Sequence, residues 1–185
     1  MLFAMLKKGT KGFTIIEVLV VISIIGILVA ILVLSFDAAR KHSRDSARKA
    51  SLKQLQLAIE TYRAQNGKYP AKGCGDVSTK WIGPNITGNS NTNVCTDYIA
   101  GVAPEFIAAL PVDAKQGGAD SGFLYQTDSS QTAYKVIINN TVETDTVSTY
   151  SDEFARCALN CGNAACPATP PANTYAVYSK GAECW

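Results

Sequence analysis

Residues 18–36 read VLVVISIIGILVAILVLSF, nineteen positions without a charge. As an α-helix rising ~1.5 Å per residue, this run spans roughly 28 Å, close to the ~30 Å hydrocarbon core of a bilayer. Val, Ile and Leu each favour insertion by a few tenths of a kcal/mol, so their sum favours the membrane. The run exceeds the ~7–15 apolar residues of a secretory signal, and no small-x-small cleavage pattern immediately follows Phe36. It also holds the chain's apolar surplus: 185 residues with 47% hydrophobic content suit one compact domain plus an extra apolar segment.

Toward the N-terminus the run is preceded by Lys11-Gly12-Phe13-Thr14-Ile15-Ile16-Glu17, with Lys7 and Lys8 upstream. Glu17 is a lone acid at the edge of the apolar helix. A carboxylate costs ~2.5–3.5 kcal/mol at the bilayer centre and less near the interface, so Glu17 requires a partner or a proton. Lys7, Lys8 and Lys11 before the run are outnumbered by Arg40, Lys41, Arg44, Arg48 and Lys49 after it, and charge counting alone leaves the C-terminal part inside. The cysteines argue the reverse. Cys74, Cys95, Cys157, Cys161, Cys166 and Cys184 are all absent from the first 73 residues, as an exported, oxidised domain requires.

Beyond the run, residues 37–66 contain neither Pro nor Gly, and Leu52, Leu55, Ile59 and Tyr62 follow a 3-4-3 spacing. That stripe predicts continuation of the same helix with one face on a sheet. Arg48, Lys49, Lys53, Glu60 and Arg63 are assigned to its exposed side. Asn66-Gly67 and Pro70 predict the stop near Asn66. Gly26 is a weak point in the apolar half, since glycine lowers helix stability by ~1 kcal/mol.

The remainder reads as a small, loop-rich α+β domain. Residues 72–104, with turn clusters at Gly83-Pro84 and Gly88-Asn89-Ser90-Asn91, predict a long loop bracketed by Cys74 and Cys95. A disulfide there removes unfolded-chain entropy worth ~3 kcal/mol. Residues 122–138 alternate around Asp128-Ser129-Ser130-Gln131 as a β-hairpin, and 174–179 supply a third strand of an antiparallel sheet. In the cysteine-rich region 151–185, the spacing Cys157-x3-Cys161-x4-Cys166-x17-Cys184 lacks the two close pairs of a zinc knuckle and favours two disulfides, with three pairings open.

Enzymatic chemistry has little support. His42 is the sole histidine and sits in the basic stretch beside the apolar run, and no nucleophile elbow or phosphate loop is present. A net charge of +2 does not point to nucleic acid as the main partner. The stretch 40–49 leaves anionic lipid or DNA weakly open, but Asp37 and Asp45 offset it as a solvated helix flank.

The order of basic leader, Gly12-Phe13, Glu17 and apolar run resembles the processing signal of bacterial type IV prepilins and type II secretion pseudopilins. The resemblance implies that prepilin peptidase removes residues 1–12, that Phe13 becomes the N-methylated first residue, and that residues 13–36 form a transmembrane and filament-core helix ahead of a globular head, 37–185. Glu17 would then pair with the amino terminus of Phe13 on a neighbouring subunit. It further implies a pilin-like lollipop fold, a helical homo-oligomeric filament, and an inner-membrane assembly platform with its ATPase. The location implied is single-pass in the cytoplasmic membrane before assembly, then an extracellular pilus or a periplasmic pseudopilus.

The segment 52–70, LKQLQLAIETYRAQNGKYP, resembles the family's helix end and Asn-Gly-x-Tyr-Pro turn. Leu110-Pro111-Val112-Asp113, Phe123-Leu124-Tyr125 and Ala133-Tyr134-Lys135-Val136 extend the likeness to about residue 140. The family's mid-helix proline falls on Leu34 here. Many relatives follow the Asp with Pro and a Trp-Gly loop that organises calcium. This chain has Ala114-Lys115-Gln116-Gly117-Gly118 instead, so Asp113, Asp120 and Asp128 are the remaining oxygen donors. Calcium is therefore disfavoured, and no other cofactor is implied. The function implied is a pilus subunit for adhesion, twitching or DNA uptake, with a major pseudopilin and a membrane-anchored binding module as the alternatives.

Overall fold

Helix α1, Ile15–Asn66, begins at the apolar run and ends at the Asn-Gly turn in a computed structural model of the chain. The structure describes residues 12–84, 92–115, 121–158, 161, 166 and 169–185. The leader residues 1–11, the 88–91 turn cluster and Asp120 lie outside the described residues. Two compact units divide the chain, Met1–Arg40 and Lys41–Trp185.

In the first unit the helix is apolar on every side. Among the described side chains, the large apolar ones from Phe13 (86% exposed) through Val20 (49%) to Leu32 (52%), and Phe36 (59%), face outward. A helix greasy around its whole circumference needs lipid or other helices as its solvent. The described helix meets the length and composition required to cross a membrane.

In the second unit α1 packs on a sheet. Leu52, Leu55 and Ile59 are fully buried, and Tyr62 packs against the same cluster. The sheet comprises β1 (Trp81–Gly83), β2 (Thr92–Val94), β3 (Gly122–Thr127), β4 (Tyr134–Asn139) and β5 (Tyr175–Tyr178), in the spatial order β2-β1-β3-β4-β5. Three neighbouring pairs are antiparallel, but β1 and β2 run parallel, so the sheet is mixed rather than wholly antiparallel. The segment 72–104 is likewise not a plain loop. It carries both of these three-residue strands, too short to leave a period-2 signature. Cys74–Cys95 closes the segment that holds them, and the Cys95 amide donates to the Gly83 carbonyl at 2.8 Å.

The end of α1 follows its sequence chemistry. Gly67 takes a φ of 73° and its N–H returns to the Arg63 carbonyl at 2.8 Å, the left-handed helix stop that glycine alone adopts freely. Tyr69 then folds back. Its ring lies 4.6 Å from that of Tyr134, and its hydroxyl meets Glu60 and Arg63 on the helix. Tyr125 donates to the Pro70 carbonyl at 2.6 Å, which fixes the turn to β3. Close approach explains Gly73, where a Cβ would lie 1.5 Å from the Asp97 carbonyl oxygen.

Both faces of the sheet are covered. The inner face, with Ile82, Phe123, Tyr125, Val136, Ile138 and Tyr175, joins the helix stripe in the main core. On the other face Leu124, Ile137 and Ala176 form a second cluster, flanked by Trp81 and Tyr178. Lys135 shares that face and is fully buried, donating to the carbonyls of Glu183 and Trp185 beside the Tyr178 ring. Burial, reinforced by the Arg156 charge, lowers the Lys135 pKa to about 7. The C-terminal cysteines pair as Cys157–Cys166 and Cys161–Cys184, an interleaved connectivity. All six cysteines are in disulfides, so no thiolate is left for zinc.

Candidate functional site

Two constellations stand out, one in each unit. At the start of α1, the Glu17 carboxylate Oε2 accepts from the Thr14 backbone N–H and the Thr14 hydroxyl, both at 2.9 Å. The Glu17 N–H returns to Thr14 Oγ1 at 3.2 Å. This is a capping box, in which Thr14 and Glu17 satisfy each other's otherwise unpaired backbone donors. The sequence reading gave Glu17 a proton or a partner, with the Phe13 amine of a neighbouring subunit implied by the resemblance, and did not include this local role, although the Thr-x-x-Glu signature is explicit at 14–17. Only one carboxylate oxygen is used locally, and Oε1 has no partner among the described residues. Gly12 and Phe13 precede the capped turn and are exposed, with open space around Gly12.

The second constellation lies on the first turns of α1 in the second unit. The buried stripe of Leu52, Leu55 and Ile59 continues backward through Arg48 and Asp45, which are 5% and 0% exposed. Arg48 was assigned to the solvent side and Asp45 to a solvated flank, and both assignments are overturned. Arg48 binds Asp113 with two N–H groups, Nε to Oδ2 at 2.6 Å and Nη2 to Oδ1 at 2.9 Å, and also donates Nη1 to Asp45 at 2.7 Å. Asp45 sits in a nest of backbone N–H groups from Glu143, Thr144 and Asp145, at 3.1, 2.7 and 3.1 Å to Oδ2. Glu143 is gripped by Arg44 at 2.6 Å and by Lys115 at 2.6 Å. Nearby, Lys49 pairs with Asp145 at 2.6 Å and Tyr175 donates to the Asp145 carbonyl. The cluster fastens residues 113–115 and 141–145 to the helix.

Its electrostatics are consistent throughout. Burial alone would raise the Asp113 carboxyl, but Arg48, the Lys115 N–H and Thr141 outweigh it and hold the group below the ordinary carboxylate range. Asp45 is treated the same way, with burial overcome by the Asp145 and Thr144 amides and Arg48. Hydrogen bonding from Arg44 dominates at Glu143 and lowers it well below the ordinary range. Arg48 is held more firmly protonated than a free guanidinium, because Asp113 and Asp45 more than offset its desolvation.

This arrangement does not fit a calcium ion. Asp113 already takes two guanidinium N–H groups, the Thr141 hydroxyl at 2.8 Å and the Lys115 amide at 2.8 Å. Asp128 caps its own hairpin turn through the amides of Thr132 and Ala133 and the Thr132 hydroxyl. Calcium needs six to eight oxygen ligands, and a cation is already in place. Among the described residues no group of three or more metal-ligating side chains forms. The midpoint of thermal unfolding in detergent is therefore expected to be the same in excess EDTA as in millimolar calcium. A site present at a hundred times its dissociation constant would add about 2.7 kcal/mol, so a calcium-dependent rise of several degrees would refute this.

Residues 7–33 match the family model described as the prokaryotic N-terminal methylation motif. The type IV wide pilus major component PilA4 of Thermus thermophilus is 42% identical over 62 residues, covering 34% of this chain and 47% of that protein. The type IV major pilin protein PilA of Myxococcus xanthus is 37% identical over 59 residues, 32% of this chain and 27% of its own length. The type II secretion system core protein G of Pseudomonas aeruginosa is 31% identical over 67 residues, covering 36% and 47%. The chain thus spans about half the length, or less, of the curated relatives it matches. Those relatives are named as pilus and secretion components, not as enzymes. No solved structure matches the chain. The motif and the relatives make the N-terminal third of the chain similar to type IV pilins and type II secretion pseudopilins, and a long N-terminal helix with a disulfide-tied α+β domain accords with that likeness.

Proposed function

We propose that this chain is the structural subunit of a type IV pilus, cut by prepilin peptidase between Gly12 and Phe13, methylated on the new Phe13 amine, and polymerised through residues 13–36. The observation that carries the reading is Gly12-Phe13 and a half-committed Glu17 directly ahead of a helix that is apolar on every side. Lateral packing of these helices into a fibre core would replace their lipid contacts. Before assembly the chain would lie single-pass in the cytoplasmic membrane.

A pseudopilin of a type II secretion system is the second reading, favoured by the core protein G relatives. The cysteine-closed C-terminal region and the commitment of Asp113 to Arg48 weigh toward the pilus. The deciding measurement is intact mass with N-terminal peptide analysis of material sheared from cells and of washed membranes. N-methylated Phe13 in the sheared fraction is expected, whereas the same species confined to membranes indicates the pseudopilin. Gly12→Leu is expected to leave a longer, uncut membrane protein and no fibres. Normal fibres from that variant would sink the processing assignment.

A further inference from the structure

A cavity of about 460 Å³ opens on the second unit between the segment after Lys72 and the β3–β4 turn, and among the described residues Trp185 is its one aromatic lining residue. Its volume falls in the range of small-molecule sites. The charged groups along it are already committed. Lys72 donates to the Ser78 carbonyl, and to the Lys80 carbonyl at 3.0 Å, and lies 3.6 Å from Asp76. Asp76 in turn accepts from the Ser78 amide at 2.7 Å and from Asn93 at 2.8 Å. Asp128 is saturated by its own turn, with three donors at 2.7–2.8 Å. An anion entering the cavity would meet a lysine that is spent, and a cation would meet carboxylates that are spent.

The uncommitted groups are neutral. Gln126 gives one amide N–H to the Thr79 carbonyl at 3.0 Å, which leaves its carbonyl oxygen and second N–H available. The Gln131 carboxamide and the hydroxyls of Thr79 and Ser129 have no partner among the described residues. Gln131 is held on the turn with its own amide bonded to the Asp128 carbonyl at 3.0 Å and its carbonyl taken by the Tyr69 amide at 3.0 Å. An indole, two carboxamides and two hydroxyls along one cavity, with Gln131 held by a braced turn, suit a ligand with one apolar face and a rim of hydroxyls. We propose that this cavity is a binding site for a neutral mono- or disaccharide, with the face of the sugar on Trp185 and its hydroxyls on Gln126 and Gln131.

The proposal is independent of whether the fibre is a pilus or a pseudopilus. The full chain, solubilised in detergent, would be titrated calorimetrically with glucose, galactose, mannose, N-acetylglucosamine, lactose and cellobiose, and with N-acetylneuraminic acid as an acidic control. Saturable binding of at least one neutral sugar is expected, with affinity reduced at least tenfold in both Trp185→Ala and Gln131→Ala. Truncating Trp185 keeps the backbone carbonyl that Lys135 uses, and Gln131→Ala carries the test should the first variant misfold. No saturable heat from any neutral sugar, binding of the acidic sugar alone, or wild-type affinity in a folded variant would each overturn the assignment.

Discussion

Arg48→Met is expected to destabilise the folded chain by roughly 3–5 kcal/mol, the cost of breaking a buried ion pair from one side. The substitution leaves an apolar side chain of comparable reach, so the loss is not one of volume. It arises because Asp45 and Asp113, both almost wholly buried, keep their negative charges and lose their shared cation. Arg48→Lys is expected to fall between, since an ammonium cannot supply two parallel N–H groups to Asp113 while also reaching Asp45. Removing the acid as well, in Arg48→Met with Asp113→Leu, should recover part of the loss, because the uncompensated charge goes with it. Denaturant unfolding followed by near-ultraviolet dichroism measures all three. A loss below about 1 kcal/mol for Arg48→Met would place the cluster among surface ion pairs of little value.

The same cluster sets a pH dependence of definite sign. Asp45, Asp113 and Glu143 are held below their ordinary values in the folded chain. Each therefore contributes stability that is fully present above its unfolded pKa of about 4 and lost as pH falls through its folded value. The wild-type chain should lose stability from this source only below about pH 4. In Arg48→Met the buried acids gain from protonation instead, so the gap between the two proteins should narrow on acidification. A gap that widens would contradict the assignment.

Glu17→Ala is expected to permit cleavage and methylation yet lower fibre yield at least tenfold. An acid at the edge of an apolar helix bundle requires a cation, and a freshly cut Phe13 amine on a neighbouring subunit is the proposed one. Alanine also removes the capping box, which by itself is worth about 0.5–2 kcal/mol of helix start. Glu17→Gln separates the two effects, because its amide oxygen still accepts from Thr14 while the charge is gone. Quantifying sheared fibres from both variants decides the matter. If Glu17→Gln assembles as the wild type does, the residue is a cap and nothing more.

Long-period features were legible in the sequence and short or distant ones were not. The charge-free run at 18–36, the stripe through Leu52, Leu55 and Ile59 and the 122–138 hairpin each repeat a signal over several turns or strands, and the Asn66-Gly67 stop is a dipeptide whose local chemistry is enough by itself. Strands β1 and β2 hold three residues apiece and repeat nothing. Asp45 and Arg48 occupy stripe positions, but their charges argued for solvent. The partners that overrule this, Asp113 and Glu143, lie 65 and 98 positions away in the chain. The second face of the sheet is closed partly by residues 183–185 through Lys135, which no local pattern announces. The capping box is a local signature, Thr14-x-x-Glu17, and is legible in the sequence without any distant partner.

The interleaving of Cys157–Cys166 with Cys161–Cys184 has a consequence for wear. Wherever a protease severs the backbone between Cys157 and Cys184, at least one disulfide still spans the break. A nicked subunit thus remains a single covalent molecule and parts only on reduction. Damage to this region would be invisible on a non-reducing gel, and a fibre built of such subunits would keep every monomer it had suffered to be cut.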